Sequence, residues 1–201
     1  MSRRGRPIYI VDDDVAVRKS VHMLLEAAGY SVQVFASASA FLSSGDMDGD
    51  CLIVDIRMPG MSGLELQQEL SVRNVSIPII VVTGYGDVPL AVRAMAAGAV
   101  DFIEKPFDHQ RMLDSIARAL KIGHQKRSQA AEKQAARDLL ALLTQREREV
   151  LNQLVTGHPN KITAFNLGIS PRTVESHRSK IMRKLHSHCL SDIVRIALAG
   201  V

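Results

Sequence analysis

Short apolar runs alternate with helix-spaced segments along the first half of the chain. Ile8-Tyr9-Ile10-Val11, Val32 to Phe35, Cys51-Leu52-Ile53-Val54, Ile77 to Val82 and Asp101 to Glu104 are compact runs, most of them bounded by turn signals. Runs of this length in such company predict buried strands of a parallel sheet. Between them, Val17, Val21, Leu24, Leu25 and Ala28 recur at helical spacing up to Gly29. Ala38 to Leu42, Leu64 through Leu66 and Leu70, and Val88 to Ala97 before Gly98 complete the alternation. Five strands alternating with helices predict an α/β domain: a five-stranded parallel sheet, doubly wound, with helices on both faces.

The second half carries only helical periodicity. Leu113, Ile116, Ala117 and Leu120 mark a helix that starts at Asp108 and weakens at Gly123. From His124 to Leu143 the chain is rich in Gln, Lys, Ala and Arg and has no proline, which predicts a solvated helical linker. Thr144 and Glu147 form a capping box that opens a helix through Leu151 and Leu154, ended by Gly157. Pro159-Asn160 opens a short helix, Leu167-Gly168-Ile169 turns, and Ser170-Pro171 supplies N-cap and first turn for a helix to Leu185. Val174, Ile181, Met182 and Leu185 form its inward stripe. Helix, tight turn with Gly, helix is the pattern of a DNA-binding helix-turn-helix. A last helix covers Leu190 to Ala199. The predicted organisation is thus one domain over 7–122, a helical linker over 123–143, and a small all-α domain over 144–201.

Charge separates the halves. Residues 1–122 hold 12 Lys and Arg against 15 Asp and Glu, a net of −3, whereas residues 123–201 hold 13 against 6, a net of +7. A basic block on a small helical module points to an anionic partner, nucleic acid before membrane. Cys51 and Cys189 lie far apart and give no disulfide framework, which fits a reducing compartment. The apolar run after the basic leader is too short for a signal peptide, and none approaches the ~18 residues that suggest a membrane span. The expectation is a cytoplasmic protein with no membrane partner.

The chemistry-bearing residues gather at strand ends. Asp12-Asp13-Asp14 follows the first strand, Asp55 ends the third, Thr83 the fourth, and Lys105 the fifth. The carboxyl ends of parallel strands open on a common crevice, so these groups are predicted to converge. Adjacent carboxylates repel unless a cation lies between them. Carboxylates, a hydroxyl and an ammonium together make a hard-oxygen Mg²⁺ site with donors left for a phosphoryl group. A phosphatase of the haloacid dehalogenase type would want a second Asp two residues after Asp55, and Arg57 stands there.

Val11-Asp12-Asp13-Asp14, Ile53 through Gly63, Val82-Thr83-Gly84 and Phe102 through Phe107 resemble the receiver domain of bacterial two-component response regulators, a flavodoxin-like fold. The resemblance implies that Asp55 accepts a phosphoryl group from a sensor histidine kinase. Asp12, Asp13, Asp55 and the backbone carbonyl of Arg57 would hold Mg²⁺, and Thr83 and Lys105 would bind phosphoryl oxygens. Phe102 falls at the family's switch aromatic and Lys105-Pro106 at its cis peptide. Side chains near Arg57 and Tyr85 would tune the phosphoryl lifetime. Val88, Val92 and Met95 would lie on a dimerisation face.

Residues 144–201 resemble the LuxR-type helix-turn-helix, and Asn160-Lys161 through His177 resemble its FixJ branch, so the whole is similar to the NarL/FixJ family. That implies a non-enzymatic transcription regulator that binds double-stranded promoter DNA, works with RNA polymerase and forms a homodimer on phosphorylation. Glu175, Ser176 and Ser179 would face base edges. Arg172, Thr173, Arg178, Lys180 and Lys184 would contact phosphates. The last helix would help pair two DNA-bound copies. One departure stands out. The family has Ile-Ala where this chain reads Thr163-Ala164, so a hydroxyl takes a core position.

Overall fold

The computed structural model describes residues 5–84 and 88–200; Tyr85 and the first four residues of the basic leader lie outside them. The chain divides into two compact units, 1–125 and 126–201. In the first, β1 (Ile8–Val11), β2 (Val32–Phe35), β3 (Cys51–Asp55), β4 (Ile79–Thr83) and β5 (Asp101–Glu104) alternate with α1 (Val15–Ala27), α2 (Ala38–Ser43), α3 (Gly63–Val72) and α4 (Val88–Ala96). The sheet is parallel throughout, in the order β2-β1-β3-β4-β5.

Apolar side chains alternate between the two faces, as period-2 strands require. Tyr9, Val11, Leu52, Val54, Ile79 and Val81 build one core with Phe41, Leu66 and Leu70. Ile8, Ile10, Ile53, Ile80, Val82 and Ile103 build the other with Val21, Leu25, Met112 and Ile116. On the three central strands both faces are therefore dry, and polar groups survive only where those strands end.

The helix after β5 departs from the sequence expectation. It is one element, α5 (His109–Ala141), with no break at Gly123. A mid-helix glycine costs about 1 kcal/mol, too little to end a helix flanked by strong formers. Its buried stripe in the first unit is Met112, Ser115, Ile116 and Ala119; Ala117 is exposed. Nor is its distal part wholly solvated. Ala136 is buried, and Leu139 and Leu140 pack on the core of the second unit.

That core is closed by α6 (Gln145–Val155), α7 (Asn160–Leu167), α8 (Pro171–Lys184) and α9 (Leu190–Ala199). The capping box at Thr144 and Glu147 forms. Gly168 adopts the left-handed conformation (φ 63°) that the tight turn between α7 and α8 demands, and Ser170 caps α8 with Pro171 in its first turn. Thr163 is fully buried in α7, its hydroxyl 3.5 Å from the His158 carbonyl. Phe165 on the same helix is 85% exposed.

Candidate functional site

β1 and β3 are neighbours, so their carboxyl ends deliver Asp12 and Asp55 side by side, and β4 and β5 add Thr83 and Lys105. The Lys105 ammonium donates to Asp12 Oδ2 at 2.6 Å and to Asp55 Oδ2 at 2.7 Å. Its backbone N–H donates to the Thr83 carbonyl at 2.7 Å, which fixes the loop after β5 against the end of β4. The Lys105–Pro106 peptide is cis.

Three carboxylates were expected to need a cation, and the fold divides the burden. Asp12 and Asp13 lie with Asp55, one oxygen from each within 4.8 Å of the others. Asp14 leaves the cluster and caps α1, accepting from the Ala16 and Val17 N–H groups at 2.7 and 3.4 Å. Burial raises the Asp12 pKa, and its bonds to Lys105 and the Asp14 N–H offset this only in part. Burial opposes the Lys105 charge, but the two carboxylates outweigh it and its pKa rises. The ammonium therefore stays charged and holds two carboxylates together.

The loop after β3 completes the floor. Asp55 Oδ1 accepts from the Arg57 N–H at 3.2 Å. Gly63 packs so tightly beneath that a Cβ there would lie 2.2 Å from the Asp55 carbonyl oxygen. Only glycine allows that approach. Thr83 is fully buried, and Phe102 is half-buried against the α2–α4 side of the sheet. Sequence reasoning missed Arg18, whose guanidinium donates to the Asp12 carbonyl from one turn into α1. Its signal would have been a cation on the helix stripe facing the acidic strand end.

In the second unit, Arg172, Glu175, Ser176, Ser179 and Lys180 form one exposed stripe on α8, while Val174 and Ile181 are buried. Three further candidates are engaged within the domain. Thr173 bonds the Ser170 hydroxyl at 2.8 Å, and Arg178 donates to Asn160 Oδ1 at 2.5 Å. Lys184 donates to Glu147 Oε2 at 2.7 Å and to the Leu142 carbonyl at 3.1 Å. The Lys184 bond leads the causes that lower the Glu147 pKa to about 2.

Carboxylates bridged by an ammonium at the mouth of a parallel sheet, on a chain that also carries a basic helix-turn-helix, define a signal receiver coupled to a DNA-binding module. Comparison with known proteins agrees. Residues 8–117 match the response regulator receiver domain, and residues 141–197 match the bacterial regulatory proteins of the luxR family. The chain is 48% identical over 198 residues to the transcriptional regulatory protein FixJ of Azorhizobium caulinodans, covering 97% of this chain and 93% of that one. It is 44% identical over 197 residues to the response regulator protein TodT of Pseudomonas putida, covering 98% and 87%. Among solved structures, the response regulator StyR superposes with a TM-score of 0.85 at 40% identity, over 96% of this chain and 99% of that one. Full-length FixJ from B. japonicum gives 0.61 at 40% identity, over 100% and 98%. The chain belongs to the NarL/FixJ family of two-component response regulators, transcription regulators and not enzymes. No described helix is long and apolar enough to cross a membrane.

Proposed function

We propose that Asp55 accepts a phosphoryl group from a sensor histidine kinase and that this raises the affinity of the helix-turn-helix for promoter DNA. The observation that carries the reading is the Lys105 ammonium seated between Asp12 and Asp55, because a carboxylate attacks phosphorus only where both charges are neutralised. In the transfer, an Asp55 oxygen forms the new bond to phosphorus as the bond to the kinase histidine breaks. The Lys105 ammonium then moves its hydrogen bonds to phosphoryl oxygens, and the Thr83 hydroxyl donates to another.

The hard-oxygen donors Asp12, Asp13 and Asp55 fit Mg²⁺, and the Arg57 carbonyl would join them in holding it. Mg²⁺ bound there would neutralise charge on the incoming phosphoryl group. Asp14, spent on its helix cap, takes no part.

Thr83 drawn toward the phosphoryl group, with Phe102 responding, biases the surface formed by α4 and β5. Val88, Val92 and Met95, all exposed on α4, support a receiver homodimer through that face. On DNA, Arg172 and Lys180 contact phosphates while Glu175, Ser176 and Ser179 read base edges, with Thr173 and Arg178 in supporting contacts. The α9 helix pairs the two copies. The family supports a cytoplasmic setting, with RNA polymerase as the further partner. On this reading the functional divisions are 7–122, 123–143 and 144–201.

The test is promoter affinity by fluorescence anisotropy in Mg²⁺, with and without a small phosphodonor, for wild type and Asp55→Ala. Tightening in wild type alone supports the reading. Equal binding by both proteins under both conditions overturns it.

A further inference from the structure

A glutamine stands where the inward stripe of α3 calls for an apolar residue. Gln67 falls between the buried Leu64, Leu66 and Leu70 and is itself only 3% exposed. Its Nε2 donates to the Ala94 carbonyl on α4 at 3.2 Å, and its buried Oε1 has no partner among the described residues. A buried amide left half-satisfied costs stability relative to an isosteric hydrocarbon. A polar group retained at such a cost makes its one bond the feature to explain.

That bond lands at a telling point. Ala94 is the one fully buried residue of α4, and its carbonyl also accepts from the Ala99 N–H at 3.1 Å. The Gly98 N–H donates to the Met95 carbonyl at 3.0 Å, and Gly98 has φ 91°, so this is a Schellman-type ending. One residue on, the Val100 N–H donates to the Ile79 carbonyl at 2.7 Å and ties the chain to β4. Toward its other end α4 is buried less deeply. Val88 is 74% and Val92 61% exposed, with Leu90 and Ala91 half-buried between them.

We infer that Gln67 is a positioning residue that makes the C-terminal end of α4 a fixed pivot, so that the apolar N-terminal part swings as one body about Ala94. This rests on the reading that a phosphoryl group on Asp55 acts through Thr83 on α4. A helix pinned at one end converts a push at the other into a rotation with two defined arrangements. An unpinned helix absorbs the same push by local loosening, and the signal is lost.

The experiment uses the full chain with Gln67→Met, which keeps the length and volume of the side chain, and with Gln67→Leu as a second apolar form. Two quantities are read: hydrogen exchange at the Gly98 and Ala99 amides, and the ratio of promoter affinities with and without beryllofluoride in Mg²⁺. Thermal melts should show both variants at least as stable as wild type. Exchange at the two amides should quicken ~5- to 10-fold, and the affinity ratio should fall ~3- to 10-fold, the worth of one buried hydrogen bond. Beryllofluoride should still bind both variants, because Gln67 lies outside the acidic site. Wild-type exchange at the two amides overturns the pivot, and so does an undiminished affinity ratio. If the wild type itself does not respond to beryllofluoride, the phosphoryl-gating reading fails, while exchange still decides whether Gln67 pins the helix.

Discussion

The Lys105 ammonium lies 2.7 Å from Asp55 Oδ2 while also holding Asp12, so Asp55 and one of its acidic neighbours share one cation. That cation comes from the end of β5, two strands away from β3 in the sheet.

Replacing Lys105 by Met removes the shared cation and leaves Asp12 and Asp55 facing one another. Urea unfolding should show a loss of about 1–3 kcal/mol, the cost of stranding polar groups that are no longer paired. Added Mg²⁺ should restore part of it, because the carboxylates regain a counter-charge. An unchanged midpoint would mean that the carboxylates are already relieved by solvent.

Acid should loosen the second unit through Glu147. Its folded pKa is about 2 against an ordinary 4.5, a depressed carboxylate, so its stabilisation is complete above pH 4.5 and is lost as pH falls toward 2. Thermal melts of wild type between pH 6 and pH 3 should fall more steeply than those of Glu147→Gln. The glutamine variant keeps the size but cannot pair with Lys184. Parallel pH profiles would contradict this assignment.

Thr163 is buried, and its hydroxyl makes a long contact to the His158 carbonyl. Thr163→Val keeps the branched shape and removes the poorly satisfied hydroxyl. Chemical denaturation should find the variant more stable by about 0.5–1 kcal/mol. A loss of similar size would show that the hydroxyl bond holds the start of α7 in place.

Arg172 and Lys184 separate the two uses of positive charge in α8. Under the proposed DNA-binding mode, Arg172→Ala should lower the slope of log affinity against log salt by about 0.9, one phosphate contact. Lys184→Ala should leave that slope alone and instead destabilise the domain, because Glu147 loses its charged donor and the Leu142 carbonyl loses the Lys184 bond. Equal slope changes in the two variants would return Lys184 to the DNA face.

The architecture was legible because each level of the sequence agreed with the next. Apolar runs with polar ends predicted a doubly wound sheet, and the capping box at Thr144, the turn at Gly168 and the cap at Ser170 stand where the residue chemistry demands. The convergence of Asp12, Asp55 and Lys105 followed from the rule for parallel strand ends. Less legible were choices made by tertiary context. Gly123 gave a local stop signal that flanking helix formers override. Lys184 has the composition of a phosphate contact, but Glu147, 37 positions earlier, captures it. Arg18 and Gln67 were passed over because nothing in a local window shows that their partners are a strand-end carbonyl and a neighbouring helix. Asp14 looked like part of an acidic cluster until its backbone neighbours were in view.

The strand order β2-β1-β3-β4-β5 has a mechanical corollary. The strand carrying Asp55 is the central one, clamped by a neighbour on each side, so Asp55 rests on the stiffest line of the sheet. The strand leading to Lys105 is an outer edge, laddered to β4 alone. Stiffness therefore declines from Asp55 toward that margin. A force applied at Asp55 therefore enters at the centre line of the sheet, and any strain it creates is relieved at the two margins, β2 and β5.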